Sequence, residues 1–406
     1  MSTPIAGILN SINSDNVNDN VGEWMTGIIV KQARGDNQGL LLALTSLLGT
    51  EPAESPDYNW FVRNPVRRSV HSAAAEADTA ETTLTFDDAD GNNVNAFLTS
   101  GTLLENRRTG EHVRVAADST GSTASVVRAQ GDTAAAAIDD NDVWLIVGYA
   151  GEEGTGARRA IFEIADPVKN YLQEFKATSD VTRLLAGSNL RSTEDQRLEG
   201  QAYALETLSN DIEFAMFNGR RGASVGANGG RIYTTGGLRD GISRAGLAAS
   251  NSLAGGGSSG TELTPFIQFL SNALEKGGSE RIAFCGPKAY SAISLYANSG
   301  VAGFEITGSE TEFGMHIKTI ETPMGPVHLV RHPLFANDEA TKGDMFIVDL
   351  TSIKQKVGQP IVLEEDIQIP GYTKATDQYI AQLGIKQKFA EPFGYVSNLE
   401  KIIPDA

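Results

Sequence analysis

The 406-residue sequence predicts an α+β fold, and three observations support this class. Short alternating strands follow one another through residues 80–150, one long amphipathic helix occupies the middle of the chain, and a helix–strand–helix run precedes further strands. The chain is 40% hydrophobic and 21% charged, which is a globular composition, and its length allows two or three domains.

The N-terminal part of the sequence predicts an arm. About the first 25 residues are rich in Asn, Asp and Ser, which favours a mobile or partner-dependent segment. A short helical stretch is expected at residues 39–48, a proline-marked turn at 51–56 and an extended segment at 59–70. The N-terminus lacks the layout of a signal peptide, and the apolar run at 39–49 is too short to span a bilayer, so no membrane partner is expected.

The β-rich region of residues 80–150 predicts a small barrel or roll. Its strands are short and alternate apolar with polar residues, and an Asp-Gly dipeptide marks one of the turns. The turns carry aspartates whose spacing does not match the DxDxDG pattern of calcium loops: Asp87, Asp88, Asp90, Asp139, Asp140 and Asp142. We therefore expect solvated turns here and no metal site.

The long helix is predicted to occupy residues 192–218. Its apolar residues recur at steps of three and four, which places them on one stripe: Leu198, Ala202, Leu205, Leu208, Ile212 and Ala215. Ser192 is the expected N-cap, with Asp195 three residues on, and Gly219 is expected to end the helix in left-handed geometry. Gly200 costs about 1 kcal/mol relative to Ala in a helix, so another segment is expected to approach it or packing to compensate.

The second half of the chain predicts an α/β unit. Glycine-rich sequence follows the long helix, and residues 252–260 (SLAGGGSSG) are predicted to be its most flexible loop. A helix (TPFIQFLSNALEKG), a buried strand (RIAFCG) and a third helix (PKAYSAISLYANSG) come next, and strands alternate with turns from residue 314. The single cysteine, Cys285, is expected at the end of the buried strand, which rules out an internal disulfide and fits a reducing cytoplasm.

The charge balance bears on possible partners. A net charge of −18 argues against a broad nucleic-acid-binding surface, since such surfaces concentrate Lys and Arg. Arginine clusters in four short stretches: Arg63, Arg67 and Arg68; Arg107 and Arg108; Arg158 and Arg159; Arg220 and Arg221. Ion pairs between subunits explain these nine residues at least as well as phosphate binding does, so we interpret them as candidate inter-subunit contacts.

One short stretch of the sequence matches a catalytic pattern. Residues 222–226 (GASVG) fit the G-x-S-x-G pattern of hydrolases, with Ser224 as nucleophile, but that motif needs a strand before the serine and a helix after it. Here a helix precedes and glycine-rich sequence follows. His328 and His332 are four residues apart, which in a strand is roughly 13 Å, too far to share a metal ion. We therefore predict no catalytic, cofactor-binding or metal-binding residues.

Four segments carry a resemblance to a known family: SGTLLENRRTGEHVRVAA, KNYLQEFKATSDVT, DIEFAMFNG and GGLRDGI. They occur in an order of elements that runs from an arm through a β-rich excursion to a long helix and a glycine-rich α/β region. In these segments and in this order of elements the chain resembles the major capsid proteins of tailed bacteriophages, which have the Hong Kong 97-type fold. The resemblance covers most of the chain from about residue 59 onward.

The resemblance implies a domain organisation. Residues 1–58 would form the N-terminal arm, 59–79 and 157–180 the strands of an extended loop (the E-loop), and 80–156 a β-barrel-like insertion in it. Residues 181–225 and 355–406 would form the peripheral domain, with the spine helix at 192–218. The α/β axial domain would then comprise residues 226–354.

The resemblance also implies a structural function without catalysis or cofactors. The chain would assemble as pentamers and hexamers into an icosahedral head shell around double-stranded DNA, in the cytoplasm of the host bacterium. Its partners would be other copies of itself, a separate scaffolding protein and a portal, and in some phages a decoration protein. Contact with the packaged DNA would be weak and non-specific, because the chain is acidic.

Three other functions stay open at this stage. An encapsulin-like nanocompartment shell uses the same fold to enclose a cargo enzyme. A serine hydrolase using Ser224 is the alternative from a different class. A tail or adhesin protein, suggested by the acidic β segments, would form trimers or fibres.

Overall fold

The computed structural model describes residues 48–63, 65–88, 94–119, 123–154, 156–162, 165–186, 196–298, 305–312, 315–322 and 325–404. Residues 1–47 of the predicted arm lie outside this part of the chain, and so do Ser192 and Asp195, the predicted start of the long helix. The chain divides into two compact units, one formed by Met1–Trp60 with Val168–Ala406 and the other by Phe61–Pro167.

The described residues form strands and helices in an α+β arrangement. The strands are β1 (Gly49–Pro52), β2 (Asp57–Val62), β3 (Ser69–Ser72), β4 (Thr83–Leu84), β5 (Phe86–Asp87), β6 (Thr102–Asn106), β7 (His112–Val115), β8 (Ala124–Val127), β9 (Val143–Tyr149), β10 (Asp166–Tyr171), β11 (Gln173–Thr182), β12 (Gly222–Val225), β13 (Arg231–Thr234), β14 (Ser252–Ala254), β15 (Thr261–Glu262), β16 (Arg281–Cys285), β17 (Glu305–Glu312), β18 (Met315–Thr322), β19 (Gly325–Arg331), β20 (Met345–Val348), β21 (Ile353–Glu364), β22 (Lys374–Gln387), β23 (Gly394–Ser397) and β24 (Ile402–Ile403). The α-helices are α1 (Arg183–Ala186), α2 (Gln196–Asn218), α3 (Leu238–Arg244), α4 (Leu263–Leu274) and α5 (Pro287–Asn298).

The long helix α2 packs on a four-stranded sheet with the order β1-β21-β22-β11. Strands β11 and β22 are antiparallel over ten residues each, and alternate residues of both strands face the helix. Ala204, Leu208, Ile212 and Met216 of α2 lie in one apolar cluster with Phe175 of β11 and with Ala381 and Leu383 of β22. The helix is therefore stabilised mainly by the apolar area that it buries on the sheet.

The buried face of α2 differs from the predicted stripe. Leu208 and Ile212 are buried as expected, but Leu198 is 61% exposed and Leu205 is 37% exposed. The residues of the predicted stripe recur about every 3.4 residues, whereas the helix has 3.6 residues per turn. The stripe therefore winds slowly around the helix, and its N-terminal residues no longer face the sheet. Half of the stripe therefore faces solvent.

Two glycines of this region are required by close packing. A Cβ on Gly200 would collide with the Ser179 side chain on β11, which is the close approach expected from the sequence. Gly219 does not have the predicted left-handed conformation, since its φ is not positive. A side chain there would instead meet the carbonyl oxygens of Ala215 and Thr235, the second at 2.7 Å.

The predicted α/β unit is built on a seven-stranded sheet with the order β14-β23-β20-β16-β19-β18-β17. Alternate residues of its central strand β16 enter two different apolar clusters: Phe284 packs with α2, and Ala283 and Cys285 pack with α4 and α5. Burial on both faces explains the continuous apolar run of this strand. Residues 252–260 were predicted to be flexible, but β14 pairs in parallel with β23 and the Gly255 N–H donates to the Ser397 carbonyl.

The Phe61–Pro167 unit contains a second seven-stranded sheet, with the order β4-β8-β7-β6-β9-β3-β5. Strands β4 and β5 lie at opposite edges of this sheet although one residue separates them in sequence. The sheet must therefore curl until its edges meet, which gives the barrel-like form expected for this region. Its core includes Phe86 and Trp144, whose rings meet edge to face at 5.8 Å.

Candidate interaction surfaces

Arg108 is the candidate arginine that forms a two-pronged ion pair with a carboxylate. Its guanidinium donates two hydrogen bonds to the Asp142 carboxylate, both at 2.7 Å, and lies 3.2 Å from Asp139. The hydrogen bond from Arg108 lowers the pKa of Asp142 to about 2. Asp142 is thus buried and paired, so the prediction of a solvated turn residue is wrong at this position, whereas Asp139 and Asp140 are exposed.

Four more of the candidate arginines contact groups of their own chain. Arg67 lies 3.4 Å from the Asp88 carboxylate, and Arg107 lies 3.5 Å from that of Glu105 on the surface. Arg158 stacks over the Tyr149 ring at 4.8 Å and donates to the Thr99 hydroxyl. Arg159 donates to the Ser119 carbonyl at 2.8 Å.

The remaining candidates differ in exposure. Arg221 is half-buried and donates to the Lys169 carbonyl at 2.6 Å, and burial lowers its pKa. Arg63, Arg68 and Arg220 are exposed, and within the described part of the chain none of the three forms an ion pair. These three are therefore the arginines best placed to contact another molecule.

A groove in the Phe61–Pro167 unit brings several of these arginines together with apolar side chains. It has a volume of about 630 Å³. Its lining consists of Arg63, Pro65, Val66, Arg67, Arg68, Phe97, Thr102, Ile146, Gly148, Tyr149, Arg158, Ile161 and Phe162. Val66 is 82% exposed and Phe162 is 76% exposed. We call this surface the arginine groove, and its combination of exposed apolar and cationic groups is typical of a contact surface.

An acidic and apolar segment comprises the end of β21 and the turn that leads to β22. We call residues 361–373 the acidic loop; its first four residues still belong to β21, and it carries Glu364, Glu365 and Asp366. Ile369 is 69% exposed and Tyr372 is 59% exposed. The base of the loop is fixed, since the Asp366 N–H donates to the Asp377 carboxylate at 3.0 Å. Arg197 of α2 donates to Asp377 at 2.6 Å and to Asp366 at 3.1 Å.

A lysine cluster around Glu51 was not predicted from the sequence. The Glu51 carboxylate on β1 lies 3.1 Å from Lys354, 3.0 Å from Lys356 and 3.3 Å from Lys386. The hydrogen bond from Lys356 contributes most to lowering the pKa of Glu51 to about 2. The only signal in the sequence is the alternation Lys354–Gln355–Lys356, which puts two lysines on one face of a strand.

The buried pair of Glu213 and His332 was also missed. Glu213 of α2 and His332 after β19 are both fully buried, and His332 Nε2 lies 3.1 Å from a Glu213 carboxylate oxygen. His328 lies apart from this pair and hydrogen-bonds the Thr319 hydroxyl at 3.0 Å. No group of His, Cys, Asp and Glu residues able to hold a metal ion occurs in the described ranges.

The candidate nucleophile Ser224 does not lie in a nucleophile elbow. It is an exposed residue inside β12, opposite Ile232 of β13 in a hairpin, and a turn and a strand follow it instead of a helix. Cys285 is fully buried, and burial raises the pKa of its thiol. Of the helices that the structure describes, none has both the length and the apolar character needed to cross a membrane.

Comparison with known proteins gives consistent matches. The model of the SU10 major capsid protein family matches residues 25–400. The major capsid protein of Pseudomonas phage PaMx41 is 25% identical over 326 residues, which cover 77% of this chain and 73% of that protein.

Two solved structures align with most of the chain at low identity. The holo-SrpI encapsulin complex from Synechococcus elongatus PCC 7942 aligns with a TM-score of 0.46 and 9% identity, over 97% of this chain and 96% of that chain. The capsid of Myoviridae phage XM1 aligns with a TM-score of 0.42 and 8% identity, over 97% of this chain and 100% of that chain.

Proposed function

The chain belongs to the SU10 major capsid protein family, and we propose that it assembles as pentamers and hexamers into an icosahedral head shell around phage double-stranded DNA. The family match over residues 25–400 is the observation that carries this function. It confirms the recognition of a tailed-phage major capsid protein from the sequence, and it places the chain in the capsid of the virion. The predicted α+β class is confirmed as well.

The distribution of exposed apolar side chains supports assembly. Leu198 and Tyr203 of α2 are 61% and 73% exposed, and large apolar residues are also exposed in the arginine groove and the acidic loop. Exposed apolar groups that cluster on several surfaces favour contact with several neighbours, because burial of this area stabilises association. A shell subunit has such contacts on several sides.

The domain organisation inferred from the resemblance has structural support. Helix α2 on its four-stranded sheet has the composition expected of a peripheral domain with a spine helix. We assign the seven-stranded sheet with α4 and α5 to the axial domain. This sheet also includes β23 (Gly394–Ser397), which lies within the range 355–406 proposed for the peripheral domain. The Phe61–Pro167 unit contains most of the proposed E-loop (59–79 and 157–180) with its insertion (80–156), while the last part of the second E-loop strand lies in β10 and β11 of the larger unit.

The proposal includes partners and excludes catalysis. A scaffolding protein, a portal and in some phages a decoration protein would contact the shell, while contact with packaged DNA would be weak because the chain carries a net charge of −18. A structural role agrees with the position of Ser224 inside an exposed hairpin strand, where no elbow is formed. Replacement of Ser224 by Ala is expected to leave particle formation unchanged.

Expression of the chain together with its neighbouring phage genes tests this function. Size-exclusion chromatography and negative-stain electron microscopy should show rings of five or six copies, or closed shells. A monomer in every condition, with the neighbouring genes present, would contradict the proposal.

A further inference from the structure

We propose that the arginine groove of one copy binds the acidic loop of a second copy. The pairing rests on the proposed function, because it needs copies to be held side by side, and it names the surfaces that meet. It is inferred from two sets of side chains that are exposed in the chain and complementary in charge and polarity.

The groove supplies positive charge in an otherwise acidic protein. Four arginines line it and no acidic residue does, although the chain as a whole carries a net charge of −18. Arg63 and Arg68 are exposed, and no ion pair of either is found in the described ranges. Their charges are therefore available to a partner, and an acidic partner would be attracted to this surface while acidic surfaces elsewhere repel one another.

The groove also supplies apolar surface. Val66 and Phe162 are mostly exposed, and Ile161 and Tyr149 are exposed by 41% and 42%. Arg158 stacks on the Tyr149 ring and is fixed by its hydrogen bond to Thr99, so this wall of the groove is formed before any partner arrives. A preformed apolar wall lowers the ordering cost of binding.

The acidic loop has the complementary features. Glu364 is exposed, and the described residues contain no ion pair with it. Glu365 is exposed and accepts a long 3.5 Å hydrogen bond from Gln201. Ile369 and Tyr372 follow within eight residues and are more than half exposed, on either side of Pro370 and Gly371. The loop therefore presents apolar anchors next to exposed carboxylates.

A second copy is the occupant that fits both surfaces. The groove needs a ligand with carboxylates beside large apolar groups, and the acidic loop presents both kinds of group on a base fixed by Arg197. Each copy would then bind one neighbour's loop in its groove and place its own loop in the groove of another neighbour, which is the head-to-tail kind of contact from which rings are built.

Cysteine cross-linking in assembled particles tests the pairing directly. The native Cys285 is fully buried, so a bismaleimide reagent reacts with introduced thiols only. The variant Val66→Cys with Ile369→Cys carries one thiol in the groove and one in the loop, both at exposed positions. The expected result is a ladder of linked chains after denaturing electrophoresis.

The matched control replaces the loop position by an equally exposed one. Val66→Cys with Leu295→Cys keeps the groove thiol and moves the second to α5, where Leu295 is 72% exposed. A stronger ladder from the groove–loop variant than from this control supports the pairing. An equal ladder from both variants, or none from the groove–loop variant in assembled particles, would overturn it.

A charge exchange provides an independent test if the cysteine variant does not assemble. The groove variant Arg63→Glu with Arg68→Glu and the loop variant Glu364→Arg with Glu365→Gln should each lower the yield of sedimenting shells about tenfold, because like charges then face each other. The two sets combined in one chain should restore most of the yield. Glu275→Arg with Glu280→Gln is the control for the loop variant, since it makes the same charge change as that variant at exposed residues outside both surfaces.

The outcomes separate this pairing from the proposed function. Shells from the wild-type chain together with normal yields from both the groove and the loop variants would overturn the pairing and leave the function intact. Failure of the combined variant to restore assembly, with its fold preserved by circular dichroism, would also overturn the pairing. Absence of any particle from the wild-type chain with its neighbouring genes would contradict the proposed function itself.

Discussion

The Phe61–Pro167 unit and the larger unit around α2 differ in the interactions that order their chains: hydrogen bonds to charged side chains in the first, aromatic packing in the second. In the smaller unit the fully buried Glu111 accepts hydrogen bonds from Arg128 at 2.6 and 2.7 Å and from the N–H groups of Ala129 and Ala136. These bonds, with those of Arg108 to Asp142, fix the irregular segment between β8 and β9. In the larger unit the C-terminal end of α2 is fixed by a cluster of aromatic rings around Phe217.

The difference follows from the kind of chain that each unit has to order. Long helices and strands bury a repeating apolar face, so packing alone fixes their position. An irregular segment has no such face, and its backbone groups need polar partners when they are buried. The irregular segment of the smaller unit therefore depends on a few charged side chains, and substitutions should affect the two units differently.

The largest effect is expected from Phe217→Ala. Phe217 is fully buried, and its ring lies within 6 Å of those of Phe284, Phe335 and Phe346. Its removal leaves a cavity that should lower the free energy of unfolding of the larger unit by about 3–5 kcal/mol. Chemical denaturation would measure this loss. Tyr203→Ala on the exposed side of the same helix serves as control, and equal losses from both would show that the cluster is not the main contact.

A smaller but still large effect is expected from Arg128→Met. The substitution leaves the buried Glu111 carboxylate without its cation, which should lower the stability of the smaller unit by about 3 kcal/mol. The fluorescence of the buried Trp144 reports on this unit once Trp24 and Trp60 are replaced by Phe. The double variant Glu111→Leu with Arg128→Met should recover part of the loss. No recovery would mean that the pair is not the reason for the loss.

Acid should lower the stability of the smaller unit, because Asp142 takes up a proton. The pKa of this carboxyl is lowered from its ordinary value near 3.8 to about 2 by Arg108, so the pair stabilises the folded state fully above pH 4. That stability is lost as the pH falls from about 4 to about 2, where the folded state also takes up the proton. Trp144 fluorescence against pH would show the loss. Asp142→Asn should flatten this part of the curve, and an unchanged curve would contradict the assignment.

The smallest effect is expected at Gly200. Ala at this position gains about 1 kcal/mol of helix propensity, but its methyl group meets the Ser179 side chain. Gly200→Ala alone should therefore bring no gain in stability, whereas Gly200→Ala in a Ser179→Ala background should gain about 1 kcal/mol over Ser179→Ala. Thermal melts of the four chains would measure this. A gain from Gly200→Ala alone would show that β11 does not restrict the helix.

Local patterns in the sequence predicted the helices and strands. The face that each element buries depends on contacts between residues that are distant in sequence. The helix that ends at Asn218, the buried strand β16 and the short strands of the smaller unit follow from periodicity within a few residues. Leu198 belongs to the predicted apolar stripe but is exposed, because the sheet beneath α2 decides which face of the helix is buried. That sheet is built from strands that lie far apart in sequence.

The contact surfaces could be predicted only in part. The arginine clusters were visible in the sequence, but their division into paired and exposed members depends on partners such as Asp142, which is 34 residues from Arg108. The lysines around Glu51 are more than 300 residues from it, and His332 is 119 residues from Glu213. Only the fold brings these groups together.

A cryo-electron-microscopy map of the particle formed by this chain with its neighbouring phage genes is the most direct test of its function. We expect a closed icosahedral shell of pentamers and hexamers, with α2 and its sheet recognisable in every copy. Fibres, trimers or a lone monomer in place of a shell would contradict the assignment of this chain as a shell subunit.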